Sequence, residues 1–179
     1  MTKNIYIVRH CQAEGQDANA HLTKTGLKQA ENLAMFLSSF EIDQIISSPF
    51  LRAIQSIEPF AKKSRLKVNI DDRLSERVLS SKSLPDWMNK LKATYNDFTL
   101  KYAGGESSEE AQKRIVNVVN ETISSDFNHS IIVTHGNIMS LLLNNYDEKF
   151  GFEQWKNLSN PDVFLLQVSP DNTNNKRLW

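Results

Sequence analysis

The sequence predicts an α/β fold: a doubly wound, largely parallel sheet with helices on both faces. Short β-rich apolar runs alternate with amphipathic helical stretches, the order that builds parallel strands through crossover helices. Two of those runs end directly in a histidine, at Arg9-His10 and Thr134-His135, and ligands gather at the carboxyl ends of strands in such sheets. The 179 residues suit one compact domain, 1–179, able to bury a sizeable core without disulfides or a structural metal.

Ile5 to Val8 reads as a buried first strand. Thr23 is an N-cap for a helix from about Lys24 to Ser38, with Leu27, Ala30, Leu33, Ala34 and Leu37 at helical spacing. Ile42 to Ile46 is a second strand, stopped by Ser47-Ser48-Pro49. Pro49 suits the first turn of the next helix, which carries Leu51, Ile54 and Ile57, and Pro59 should kink or end it. Leu66 to Ile70 reads as a third strand. Leu84, Trp87, Met88, Leu91, Tyr95 and Phe98 then fall on one face of an amphipathic helix, expected to be chiefly core packing. Ser107 and Glu110 form a capping-box pattern for a helix running to about Ser124. Ile131 to Val133 is a strand, a helix follows Gly136, and Val163 to Val168 is a last strand. The tail from Pro170 to Lys176 is polar and reads as loose, with Arg177-Leu178-Trp179 available to pack.

Bulk composition narrows the classes of function. The chain is 40% hydrophobic and 23% charged, with 21 basic and 21 acidic residues. Zero formal charge gives no reason to expect nucleic acid or an anionic membrane as partner. Cys11 is the sole cysteine, so no internal disulfide forms, which fits a reducing compartment. The N-terminal apolar run is too short for a signal peptide, and no segment approaches the ~20 apolar residues of a membrane span. A cytoplasmic protein acting on a small molecule is expected; the sequence does not fix its oligomeric state.

The chemistry-bearing residues point to phosphate. Arginine forks match the equatorial oxygens of a phosphoryl group, and Arg9 and Arg52 follow the first two strands closely enough to serve. Backbone N–H groups after Gly136, at a helix start, add dipole stabilisation of an anion. A neutral imidazole among cations is held at low pKa and stays nucleophilic, which describes His10. A carboxyl group is then needed to protonate the leaving oxygen and to activate water; Glu76, Glu106 and Glu14 are the candidates from composition alone.

At these residues the sequence resembles the histidine phosphatase superfamily, in its phosphoglycerate-mutase-like branch. Val8-Arg9-His10-Cys11-Gln12-Ala13-Glu14-Gly15 resembles the family's Arg-His-Gly signature. Leu22-Thr23-Lys24-Thr25-Gly26, Ser47 to Ala53, Leu74-Ser75-Glu76-Arg77, Gly105-Glu106-Ser107 and Val133 to Asn137 follow in the family's order, over nearly the whole chain. The resemblance implies that His10 becomes a transient phosphohistidine, that Arg9, Arg52 and His135 hold the phosphoryl oxygens, and that Glu76 donates the proton. Gln16 and Asn137 would border the pocket beside Gly136. It implies no cofactor and no metal, and the histidines and Cys11 do not repeat at ligand intervals. It also implies a small helical lid at about 77–105, the region of the aromatic-rich helix, whose stripe would then serve both as core packing and as cover for the site.

Two positions depart from the pattern. Cys11 stands in place of a glycine, expected to crowd the phosphate loop, and Gln16 stands where many members have asparagine. A cysteine phosphatase is disfavoured, because after five intervening residues the position of the expected arginine holds Asp17, which would repel phosphate. Glu106 reads as an anion favourable at a helix N-terminus, supporting the site at most. The expected reaction is phosphomonoester hydrolysis. A phosphoglycerate mutase is the nearest alternative, and a degenerate phospholigand-binding module is the alternative from another class.

Overall fold

The computed structural model describes residues 2–179. Six strands form one sheet in the order β3-β2-β4-β1-β5-β6. They are β1 (Lys3–Arg9), β2 (Gln44–Ser47), β3 (Val68–Ile70), β4 (His129–Thr134), β5 (Asp162–Ser169) and β6 (Asn172–Arg177). β3, β2, β4 and β1 run parallel, whereas β5 and β6 pair antiparallel. The sheet is mixed and mostly parallel, as the alternating pattern predicts.

The period of two along β1 explains the two layers. Tyr6 and Val8 face one core with Ile45, Ile131 and Val133, covered by α1 (Lys24–Leu37) and α2 (Leu51–Ser64). Ile5 and Ile7 face the other with Ile132, covered by α4 (Ser108–Ser124) and α5 (Gly136–Tyr146). β1 and β4 are neighbours, yet the chain leaves β1 towards α1 and β4 towards α5, on opposite faces. That divergence opens a crevice at their carboxyl ends.

Local signals hold where they are chemical. Thr23 accepts from the Gly26 N–H and caps α1, and Ser107 with Glu110 forms a complete capping box on α4. Three readings need correction. Pro59 lies inside α2, which continues to Ser64, because Ala53, Ile57, Phe60 and Ala61 stay buried against α1 and offset the one lost backbone bond. Pro49 precedes the helix by two positions instead of starting it. The polar tail is strand β6, joined to β5 by the two-residue loop Pro170-Asp171. Backbone pairing holds this edge, and hydropathy does not report it.

The segment after β3 crosses the carboxyl end of the sheet. It holds a 3-10 turn, Asp72–Leu74, and α3 (Trp87–Asn96). Leu91 is buried, whereas Trp87 and Met88 are 47% and 40% exposed, so the stripe is part core and part open face. After α5, a segment carrying α6 (Phe152–Lys156) climbs back to the same end before β5 descends. No described helix is long and apolar enough to cross a membrane.

Candidate active site

β1 ends at Arg9 and delivers His10 into the crevice, where the imidazole is 9% exposed. Its Nδ1–H donates to the Cys11 carbonyl at 2.7 Å, which leaves the lone pair on Nε2. The Arg52 Nε–H donates to that Nε2 at 3.3 Å, a long bond that a ligand can replace. Burial, with the charges of Arg52 and Arg9, holds His10 down at about 3. The imidazole is therefore neutral at any physiological pH. Asn160 Nδ2 donates to the His10 carbonyl and fixes the backbone from the other side.

The cations are held by carbonyls. Arg52 Nη1 donates to the Gln16 and Asp17 carbonyls, and Arg9 Nη1 to those of Leu158 and Ser159. Gly136 is required here: a Cβ on it would lie 2.8 Å from Arg9 Nε, inside the guanidinium's space. His135 is fully buried, its Nε2 2.7 Å from Ser48 Oγ and its ring centroid 5.1 Å from that of His10. Burial, with the neighbouring His10 and Arg52, keeps it well below the ordinary histidine range.

Glu76 sits at the N-terminus of α5. Its Oε1 accepts from the Arg77 and Ile138 N–H groups, and its Oε2 accepts only from the Asn137 N–H, at 3.0 Å. Glu106 faces away from the crevice and is bidentate with Arg114, whose Nη1 and Nη2 also hold the carbonyls of Arg73, Ser75 and Glu76. The pair is a brace for the Glu76 strand-to-helix segment. Burial raises Glu106 while Arg114 lowers it, and the net direction is down.

A cavity of about 470 Å³ opens on this cluster. Arg9, Gln16, Glu76, Gly136 and Asn137 form its polar side, and Leu79, Trp87, Leu91 and Trp155 form an apolar wall, with Arg77 between. Among the described residues, Arg9 Nε, His135 Nδ1 and Asn137 Oδ1 are the buried side-chain polar atoms without a hydrogen-bond partner. All three belong to this site. Unpaired buried polar atoms are costly, so their concentration here marks a place shaped for a polar ligand.

The structure brings together the eight residues assigned to the site from sequence: Arg9, His10, Gln16, Arg52, Glu76, His135, Gly136 and Asn137. Cys11 differs from expectation. Its thiol is fully buried in the core with Leu22 and Ala30, and burial raises it to about 11. It does not line the cavity. Glu14 likewise lies outside the cavity lining. Sequence reasoning missed Ser48, Tyr95, Arg114, Trp155 and Asn160. Ser48 lay within a quoted motif but was read only as part of a strand stop. Tyr95 lay on the aromatic stripe without an assigned role, and Arg114, Trp155 and Asn160 carry no local signal, because their roles arise from contacts between distant segments.

The crevice and its buried cations define an α/β protein with a cationic pocket at its strand ends. Residues 5–178 match the histidine phosphatase superfamily (branch 1), and the chain belongs to that superfamily. It is 26% identical over 157 residues to a protein of Hydrogenobacter thermophilus named "Putative phosphoserine phosphatase 2", covering 79% of this chain and 77% of that one. Over 109 residues it is 32% identical to mouse "Fructose-2,6-bisphosphatase TIGAR", covering 56% of this chain and 40% of that protein. Among solved structures, mycobacterial glucosyl-3-phosphoglycerate phosphatase superposes with a TM-score of 0.79 at 21% identity, over 99% of this chain and 97% of that one.

Proposed function

We propose that this protein is a phosphomonoester hydrolase that works through a phosphohistidine on His10. The observation that carries this reading is the state of the imidazole. Nδ1–H is locked on a carbonyl, Nε2 is unprotonated with a guanidinium 3.3 Å away, and His10 comes directly after the Arg9 that lines the cavity. In the first displacement the Nε2 lone pair attacks phosphorus while Arg9, Arg52 and the Nδ1 edge of His135 hold the non-bridging oxygens. The bond to the leaving oxygen breaks, and protonated Glu76 supplies the proton to the departing alkoxide. Oε2, which accepts only one backbone bond, has the lone pair free for that proton. In the second displacement the Glu76 carboxylate takes a proton from water. The oxygen attacks phosphorus, the N–P bond breaks, and His10 returns to its neutral form with release of phosphate.

Residues 77–105 act as a lid within the single domain 1–179, since Leu79, Trp87 and Leu91 reach the cavity from this segment. A phosphatase is favoured over a mutase because Lys82, Lys90, Lys92 and Lys101 all lie outside the cavity lining. Lys90 and Lys101 are instead engaged with Asp86 and Glu110. A mutase must retain a second phosphate, and the one guanidinium in this wall, Arg77, is already bonded to Thr94 Oγ1 and the Glu106 carbonyl. The retained His10 and Glu76 argue against a non-catalytic binder.

The test is a rapid quench after brief reaction with labelled substrate. Acid-labile, alkali-stable label on the peptide bearing His10, absent in His10→Ala, is expected. Turnover without label on any histidine would refute the mechanism.

A further inference from the structure

The atoms that face the leaving group differ in character from those that face the phosphate. Asn137 is 7% exposed and its amide has one orientation available. Ser140 Oγ–H donates to the Asn137 carbonyl, so the Tyr95 O–H must donate to Ser140 Oγ, and the Tyr95 oxygen then accepts from Asn137 Nδ2. Each donor in this chain is committed in one direction. Asn137 Oδ1 is left as a buried acceptor with no partner. An acceptor so placed beside Glu76 suits a hydroxyl or N–H donor on the ligand and repels a carboxylate.

The remaining wall holds one cation, Arg77, and it is held back from a ligand. It is buried, Nη1 donates to Thr94 Oγ1, and Nε and Nη2 donate to the Glu106 carbonyl, so three of its five N–H groups are engaged within the protein. Trp87 and Trp155 line the cavity together with Leu79 and Leu91. Apolar ring faces at one side and a lone acceptor at the other match a ring-bodied molecule with hydroxyls on its edge.

Resting on the phosphatase reading above, we propose that the leaving group of the substrate is an uncharged, ring-bodied alcohol, a sugar or a nucleoside. Its hydroxyl nearest the phosphoester donates to Asn137 Oδ1, and its ring lies against Trp87 and Trp155. Phosphoserine and phosphoglycerate, which carry a carboxylate near the ester, are poor substrates.

The experiment compares kcat/KM on p-nitrophenyl phosphate, glucose 6-phosphate, adenosine 5′-monophosphate, glycerol 3-phosphate, propyl phosphate, phosphoserine and 3-phosphoglycerate. The better of the sugar and nucleoside phosphates should exceed both carboxylate-bearing substrates by about tenfold or more. Which of the two leads separates the two sources of the ring. In Trp87→Ala the preference for that ring substrate over glycerol 3-phosphate should fall about fivefold. Glycerol 3-phosphate, with its neighbouring hydroxyl, should beat propyl phosphate, and Asn137→Ala should bring their ratio towards one. Hydrolysis of p-nitrophenyl phosphate with phosphoserine or 3-phosphoglycerate as the best natural substrate would overturn this assignment and leave the phosphatase reading standing. Folded protein that hydrolyses none of the panel would overturn the phosphatase reading, and this assignment with it.

Discussion

At the scale of single residues, the two histidines tie chemistry to stability. His10 titrates at about 3 in the folded chain against an ordinary 6.5, because protonation would bury a charge beside Arg52 and Arg9. Between those values the unfolded chain binds more protons than the folded one, so stability rises with pH through this window. It is fully present above about 6.5 and is lost as pH falls towards 3. Each buried histidine contributes a slope of up to about 1.4 kcal/mol per pH unit there. Melting temperature should fall between pH 7 and 4.5, and His10→Asn should flatten that fall; an unchanged slope would contradict the assigned burial. Glu76→Gln should slow an alkyl phosphate far more than p-nitrophenyl phosphate, provided phosphohistidine formation limits both, since nitrophenolate leaves unaided. Equal losses would mean that Glu76 only binds. Cys11, buried in core with its thiol raised to about 11, should resist thiol reagents in the native state. Cys11→Ala should leave kcat within about twofold and cost about 1 kcal/mol in a denaturant titration. A collapse of turnover in folded Cys11→Ala would give the thiol a role that its position denies.

At the scale of elements, the site depends on how α4 holds the segment before α3. Arg114 on α4 gathers the carbonyls of Arg73, Ser75 and Glu76 and is itself held by Glu106. Arg114→Met should cost about 2–4 kcal/mol and lower kcat, because Glu76 loses its support while keeping its own side chain. The acid role and the brace separate by leaving-group dependence: Glu76→Gln discriminates between alkyl and nitrophenyl esters, whereas Arg114→Met should depress both alike. β6 shows the same dependence on partners from the other end of the chain. Asn172 to Lys176 carry no apolar pattern, and they become a strand because β5 offers an unpaired edge. Trp179 then meets Phe36 of α1 edge-on at 5.2 Å, so the chain end ties the sheet to a helix layer.

At the scale of the whole molecule, one crevice serves one anion. With 3-phosphoglycerate and catalytic 2,3-bisphosphoglycerate, release of phosphate should outpace isomerisation. Isomerisation at rates comparable with the best phosphatase substrate would make the protein a mutase. Among the described residues no group of three or more His, Cys, Asp or Glu side chains could hold a metal ion, and each step assigned here uses a side chain of the chain itself. Activity is therefore expected to survive EDTA. Loss on chelation, restored by a divalent ion, would require a different account of charge neutralisation.

The sequence by itself determined the layer order and the reacting groups. Period-two and period-3.6 patterns are local, and so are Thr23 and Ser107 as caps; the Arg-His and Thr-His pairs lie beside the strands that aim them. Arg9, His10, Arg52, His135, Gly136 and Asn137 were legible because each sits at a strand end or a helix start, whereas Gln16 and Glu76 lie in loops and were legible only through the ordered motifs. Only the tertiary structure decided which way Cys11 points, that β5 and β6 run antiparallel, and that Trp87 leaves the core to line a cavity. The same holds for Ser48 on His135, Asn160 on the His10 carbonyl and Arg114 beneath Glu76. Their partners lie 38 to 150 residues away in the chain. Such contacts form when layers pack, and their free energy comes from exclusion of water by elements that no local pattern brings together.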